Sequence, residues 1–313
     1  MKISRLHFAI LAVIFANIIW GAGAPIFKWS LHGIGPFTLS FIRFAGAAII
    51  LFPFAVSNLK IQRKHWLTLM YLAFYGFVVN IALMFVGLQY TESINQPIIG
   101  SSAPIFLIIG AFFILKEVPK RKVLIGTFIS LIGVFIVIIR PILEKGVHVS
   151  IWGNILFVIS TLGIVIYTIL LKGIIDEYKA LTITFWSFFI ATIFILPFVF
   201  IESHGIRILQ GITWQGWIGA TYGAVFSSAI AYLCYNYALK FVSTDEIGIF
   251  LYIDPIATIL VAIPLLHEQL TFTFILGAVF IFFGIFISEG RLNYHPFYML
   301  KGFAKGVLTV FIP

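Results

Sequence analysis

The sequence predicts an all-α membrane protein of ten transmembrane helices arranged as two inverted five-helix repeats. Three observations lead there: a composition that cannot face water, ten apolar runs of bilayer length, and a self-overlay at an offset of 151 residues. Charged residues make up 10% of the 313 positions and hydrophobic ones 61%, with a mean hydropathy of +1.11. A soluble domain carries roughly 25% charged residues. The 26 Gly would weaken soluble helices, whereas membrane helices use Gly for close packing. A single cysteine, Cys234, excludes an intrachain disulfide and a thiolate metal cluster.

A bilayer core needs about 20 apolar residues per helix. The chain supplies that length over residues 8–27, 36–57, 66–88, 94–115, 121–139, 151–171, 181–201, 214–239, 246–266 and 272–289. The runs are continuous, unlike the ten-residue alternation of a membrane barrel. Within 66–115 the only polar separator is Thr91-Glu92-Ser93-Ile94-Asn95-Gln96. The first run has a basic start (Lys2, Arg5) and Ala22-Gly23-Ala24, which fits a signal-peptidase site. Nine further apolar companions argue that it stays as a span.

Lys and Arg set the orientation. With the N-terminus inside, the inner segments hold fifteen: Lys2, Arg5, Lys60, Arg63, Lys64, Lys116, Lys120, Arg121, Lys122, Lys172, Lys179, Lys240, Arg291, Lys301 and Lys305. The outer segments hold four, Lys28, Arg140, Lys145 and Arg207, and Arg43 lies within a span. This positive-inside bias places both termini in the cytoplasm and the chain in a bacterial or archaeal inner membrane. The net charge of +9 is therefore a topology signal. Basic residues scattered between apolar runs offer no face for nucleic acid.

Shifted by 151, residues 66–138 lie over 217–289 without a gap. Trp66 meets Trp217, Tyr71 meets Tyr222, Pro104 meets Pro255, Glu117 meets Glu268, Gly126 meets Gly277 and Gly133 meets Gly284. A shift of 144 sets Thr38 over Thr182 and Pro53-Phe54 over Pro197-Phe198. Five spans per half invert the second half, so residues 1–145 and 146–290 form inverted repeats, followed by a cytoplasmic, interfacial tail at 291–313. By analogy with inverted-repeat carriers, a site between such halves opens to either side in turn. Alternating access is thus the expected mechanism, an argument from architecture alone.

The residues resemble a known family. Asn17-Ile18-Ile19-Trp20-Gly21 leading to Pro25 and Lys28-Trp29, then Arg43-Phe44, is similar to the start of an EamA-type transporter of the drug/metabolite transporter superfamily. Tyr237-Ala238-Leu239-Lys240, Tyr252-Ile253-Asp254-Pro255, Glu268, Gly277 and Gly284 continue the likeness, with Asp-Pro where that family usually has Glu-Pro. The resemblance runs to about residue 290 and rests on motif order and spacing. It implies a ten-helix carrier of small molecules, most often an exporter of amino acids, metabolites or drugs.

Intramembrane polar residues supply the candidate site. Asp254 in the ninth span and Arg43 in the second are costly at bilayer depth, which points to a cavity or a partner. Each also has a structural reading: Asp254 as a hydrogen-bonded buried carboxyl, Arg43 as a snorkelling or paired cation. Trp20, Tyr75, Asn80, Tyr232 and Asn236 could line a cavity with an apolar body and hydrogen-bonding tips, although packing between helices explains any one of them singly. Glu117 and Glu268 occupy equivalent repeat positions at opposite faces, which suggests gating or helix capping. Pro104 and Pro255 could loosen helices for motion.

The expected function is secondary export of amino acids or related metabolites, with no cofactor and no metal. Its partners are a small solute and the lipid bilayer; proton coupling and oligomeric state are open. A Gly-Lys-Ser/Thr phosphate loop is absent, so the chain cannot hydrolyse nucleotide by itself. An intramembrane enzyme would need clustered catalytic groups, and Glu117, Asp254, His267 and Glu268 are dispersed. A non-transporting scaffold or subunit is the other alternative, disfavoured by the buried charges Asp254 and Arg43.

Overall fold

A computed structural model describes residues 5–106, 109, 121–146, 151–202, 209, 211–242, 250 and 252–289. Helices dominate, and no strand occurs among the described residues. They are α1 (Arg5–Ser30), α2 (Pro36–Ala55), α3 (Arg63–Leu88), α4 (Asn95–Gly100), α5 (Arg121–Lys145), α6 (Trp152–Lys172), α7 (Ala180–Glu202), α8 (Trp214–Ala238), α9 (Ile253–Leu266) and α10 (Phe272–Glu289).

Seven of these, α1, α2, α3, α5, α6, α7 and α8, are long and apolar enough to cross a membrane, while α9 and Phe272–Ile287 of α10 are shorter apolar helices. The expected fourth span is described only at 94–106 and 109, so Glu117 lies outside the described residues, as does the tail at 291–313. Exposed Phe, Ile and Leu on the outer faces, such as Ile49, Phe128, Ile201 and Leu260, are the surface a lipid environment requires.

The principal packing crosses between the N-terminal and C-terminal halves. Helix α1 lies against α8 and α9, and α2 against α7 and α8; in return α6 lies against α3 and α4, and α7 against α3. Helices α5 and α10 run along each other. Their contact is made through glycine. A Cβ on Gly133 would lie 2.7 Å from Gly277 O, and one on Gly284 only 2.4 Å from Gly126 O. Small residues let backbones approach where lipid offers no hydrophobic drive to association.

Neither α3 nor α8 is regular. Phe74–Ala82 of α3 and Gly223–Ile230 of α8 are π-helical. These windows overlap under the 151-residue shift. A π segment widens the helix by one residue per turn and is frequent at functional sites.

One expectation about a helix end is corrected. Arg140 does not sit in a loop after a span ending at 139: α5 continues to Lys145, because acidic and amide partners satisfy the guanidinium inside the bundle. Pro255 falls in the first turn of α9, where a missing N–H removes no intrahelical bond.

Candidate functional site

The π segment of α8 gathers polar groups from three helices. Trp20 of α1 donates Nε1–H to Ser227 O at 2.9 Å, and its ring lies 4.9 Å from Tyr232 and 5.2 Å from Tyr235. Arg43 of α2 donates from Nε to Ser228 Oγ at 2.6 Å and from Nη2 to Ser227 Oγ at 2.9 Å. Its guanidinium carbon is 5.0 Å from the Phe27 ring centroid and 5.6 Å from that of Phe85, within cation–π range. Tyr232 continues the aromatic wall onto Phe77 at 5.0 Å and Phe188 at 5.3 Å. Trp20, Arg43 and Tyr232, singled out in sequence, thus converge. Ser227 and Ser228 are the partners that join them.

Asp254 of α9 lies against α1 at Gly21, next to Trp20 in sequence. Its backbone packs on Gly21, where a Cβ would come within 2.5 Å of Asp254 O, and Thr258 Oγ1 donates to Gly21 O at 2.6 Å. Among the described residues the buried Asp254 Oδ1 atom has no hydrogen-bond partner, and neither has the buried Asn17 Oδ1 on α1.

The remaining candidates tie helices together. Asn80 Nδ2 donates to Ser160 O at 2.9 Å, and Ser160 Oγ donates back to Asn80 O at 2.6 Å, binding α3 to α6. Asn236 Nδ2 donates to Thr184 Oγ1 at 2.8 Å, while its Oδ1 accepts from Tyr167 at 3.1 Å, joining α6, α7 and α8. Tyr75 packs on Phe74 and half-exposed Tyr71, away from Trp20 and Tyr232. Pro104 lies in the helical turn at 103–106.

One end of the bundle is closed by carboxylates. Glu268 accepts from Ser93 N at 2.7 Å, Ile94 N at 3.0 Å and Ser93 Oγ at 2.9 Å, capping the chain as it enters α4. It also pairs with Lys28 at 2.9 Å. Glu202, at the end of α7, accepts from Phe37 N at 3.0 Å and Thr38 N at 2.7 Å at the start of α2. Each carboxylate satisfies orphan N–H groups and complements the helix dipole. Beside them Arg140 reaches Glu92 at 2.7 Å, Glu144 at 3.0 Å and Asn95 Oδ1 at 2.8 Å, and Thr271 hydrogen-bonds Glu144. A cavity of about 240 Å³ lies here, lined among others by Lys28, Tyr90, Glu92, Arg140 and Glu144. Glu144 and Glu202 are absent from the sequence candidates and Glu92 figures there only in a polar separator; the i,i+4 spacing of Arg140 and Glu144 was the available signal.

The described residues hold no group of three His, Cys, Asp or Glu suited to a metal. Packed apolar helices, buried polar knots and a lipid-compatible exterior define a multi-pass helical membrane protein. A model of the EamA-like transporter family matches residues 7–139 and again 151–289. The chain belongs to that family, and is a membrane transporter rather than an enzyme.

Its relatives carry the same general description. An uncharacterized transporter of Archaeoglobus fulgidus is 24% identical over 279 residues, covering 88% of this chain and 94% of that protein. One from Clostridium kluyveri is 29% identical over 261 residues, covering 81% and 83%. The uncharacterized transporter YetK of Bacillus subtilis is 25% identical over 279 residues, covering 87% and 84%. A solved crystal structure superposes with a TM-score of 0.62 at 13% identity, covering 90% of this chain and 96% of the other, a likeness of fold alone.

Proposed function

We propose that this chain is a secondary exporter of amino acids or related small metabolites, working by alternating access between two inverted five-helix repeats, 1–145 and 146–290. One observation carries the reading: contacts between the halves are reciprocal. Gly133 approaches Gly277, and their repeat mates Gly284 and Gly126 approach each other. Thr38 Oγ1 donates to Glu202, and its mate Thr182 donates to the carbonyl of Asn58, which aligns with Glu202 at the 144-residue shift. Residue i touching j while j's mate touches i's mate is the signature of a two-fold axis.

The Lys and Arg count supports cytoplasmic termini in a bacterial or archaeal inner membrane, which turns the Glu202, Glu268 and Arg140 end outward. With that end latched, the conformation described is closed to the outside. Trp20, Arg43, Tyr232 and Asp254 then belong to the solute pathway. Asn80, Asn236, Tyr75, Pro104 and Pro255 hold and shape helices, and Glu268 gates.

The test is counterflow of radiolabelled neutral and aromatic amino acids in proteoliposomes, beside Asp254→Asn. Saturable exchange that is lost in the variant, with the melting temperature unchanged, supports the carrier and its pathway. An absence of exchange across the panel removes amino acids as the cargo.

A further inference from the structure

Among the described residues, Lys28, Arg43 and Arg140 are buried or half-buried at the joint between the halves, and Arg43 has no carboxylate partner there. Lys28 faces Glu268 at 2.9 Å, and Arg140 faces Glu92 at 2.7 Å and Glu144 at 3.0 Å. Arg43 is as buried as Arg140, each 2% exposed, yet no carboxylate pairs with it among the described residues. Its hydrogen-bond and cation–π partners among the described residues are neutral, namely the two serines of α8 and the Phe27 and Phe85 rings, and Gly223, lacking a side chain, leaves room for the Arg43 stem. Neutral hydrogen bonds orient a guanidinium but do not cancel its charge. A buried ion without a counter-ion is strongly unfavourable and persists where function requires it.

The local geometry suits an incoming anion. Arg43 Nη1 makes no hydrogen bond among the described residues, since only Nε and Nη2 are engaged. The Ser227 and Ser228 hydroxyls accept from the guanidinium and keep their own protons to donate. Ser227 O, which also accepts from Trp20, pins the fork in place. A guanidinium presents its N–H groups in a planar fork that matches a carboxylate. The charge sets a limit as well. One uncompensated positive charge neutralises a single negative one, so a dianion would leave the site charged again.

We propose that Arg43 is the anion-binding group of the carrier, taking the carboxylate of a monoanionic or zwitterionic solute between α1, α2 and α8. This rests on the transport reading above for its setting, but its chemistry can be tested apart from it.

The first experiment measures the melting temperature of the purified full chain in detergent. The probes are propionate, propionamide and chloride at matched ionic strength, applied to wild type, Arg43→Gln and Arg43→Lys. Propionate is expected to raise the wild-type midpoint while propionamide and chloride do not, and Arg43→Gln is expected to abolish the response. Arg43→Lys keeps the charge without the fork and should retain a weaker response. Without any anion, Arg43→Gln should melt no lower than wild type, because it removes an unpaired charge; a merely structural arginine would give a clear loss. An equal response to chloride would assign the site to an inorganic ion and overturn the carboxylate, and an unchanged response in Arg43→Gln would overturn Arg43 itself. In proteoliposomes, amino-acid amides should compete roughly 10- to 100-fold less well than the acids, the worth of one charge-assisted hydrogen-bonded contact. Failure of transport with an intact propionate response would sink the cargo reading and leave the anion site standing.

Discussion

Ser130 donates a hydrogen bond to the carbonyl of Ile281 at 2.7 Å, and the two residues stand 151 positions apart, the offset of the internal repeat. Each therefore touches its own counterpart. Under the two-fold relation proposed between the halves, such a contact falls beside the axis, which would put the α5–α10 contact close to it.

The glycines flanking this contact should not tolerate a side chain. Gly284→Leu would drive carbon into Gly126 O and Ser130 N, both backbone atoms that cannot swing aside. Overpacking of this kind costs about 1–3 kcal/mol or more. Gly100→Ala is the control, with its nearest neighbour the flexible end of Gln96 at 3.8 Å. Thermal unfolding in detergent should show a clear drop for the first and almost none for the second.

Arg140 and Lys145 both contact Glu92 and should differ sharply. Arg140→Met removes the buried cation that Glu92 and Glu144 share and leaves Glu92 with exposed Lys145 alone among its described ion pairs, a loss of about 3–5 kcal/mol for a broken buried pair. Lys145 is 59% exposed, so Lys145→Ala should change stability by less than about 1 kcal/mol. Equal effects from the two would contradict the burial described for Arg140.

Glu268→Gln weakens one cap and the Lys28 pair together. If these bonds close the outer end, as proposed, the variant should populate the outward-open form more often. Raised labelling of a cysteine introduced at Ser93, in a Cys234→Ser background, would report it. Lys28→Gln should show a smaller shift in the same direction, and a double-mutant cycle should give a coupling of roughly 0.5–3 kcal/mol. Labelling unchanged in Glu268→Gln would remove it from the gate.

Orientation has its own check in intact cells. In the Cys234→Ser background, a membrane-impermeant thiol reagent should reach a cysteine replacing Lys145 and miss one replacing Lys64. The reverse pattern would invert the proposed topology.

The long elements were legible because hydrocarbon imposes length and apolarity on each span. Residues 151–171 and 181–201 anticipate α6 and α7 to within a residue. Gly126, Gly133, Gly277 and Gly284 were legible as a repeat but not as one mutual contact, since a sequence overlay gives equivalence rather than adjacency. The two π segments left no mark, because Phe74–Ala82 and Gly223–Ile230 read in composition like any apolar helix. Asn80 and Asn236 looked like cavity tips. Their partners Ser160 and Thr184 sit 80 and 52 residues away, and nothing local announces such a bond.

At the paired positions 58 and 202 the two halves differ in kind. Thr38 meets a carboxylate that also holds two backbone amides, whereas Thr182 meets a backbone carbonyl. A seesaw with one heavier arm comes to rest on the same side every time. In this chain the heavier arm is a single glutamate. The side on which the empty carrier waits for cargo would then be a local trait, open to reversal by exchanging those two residues while the architecture stays the same.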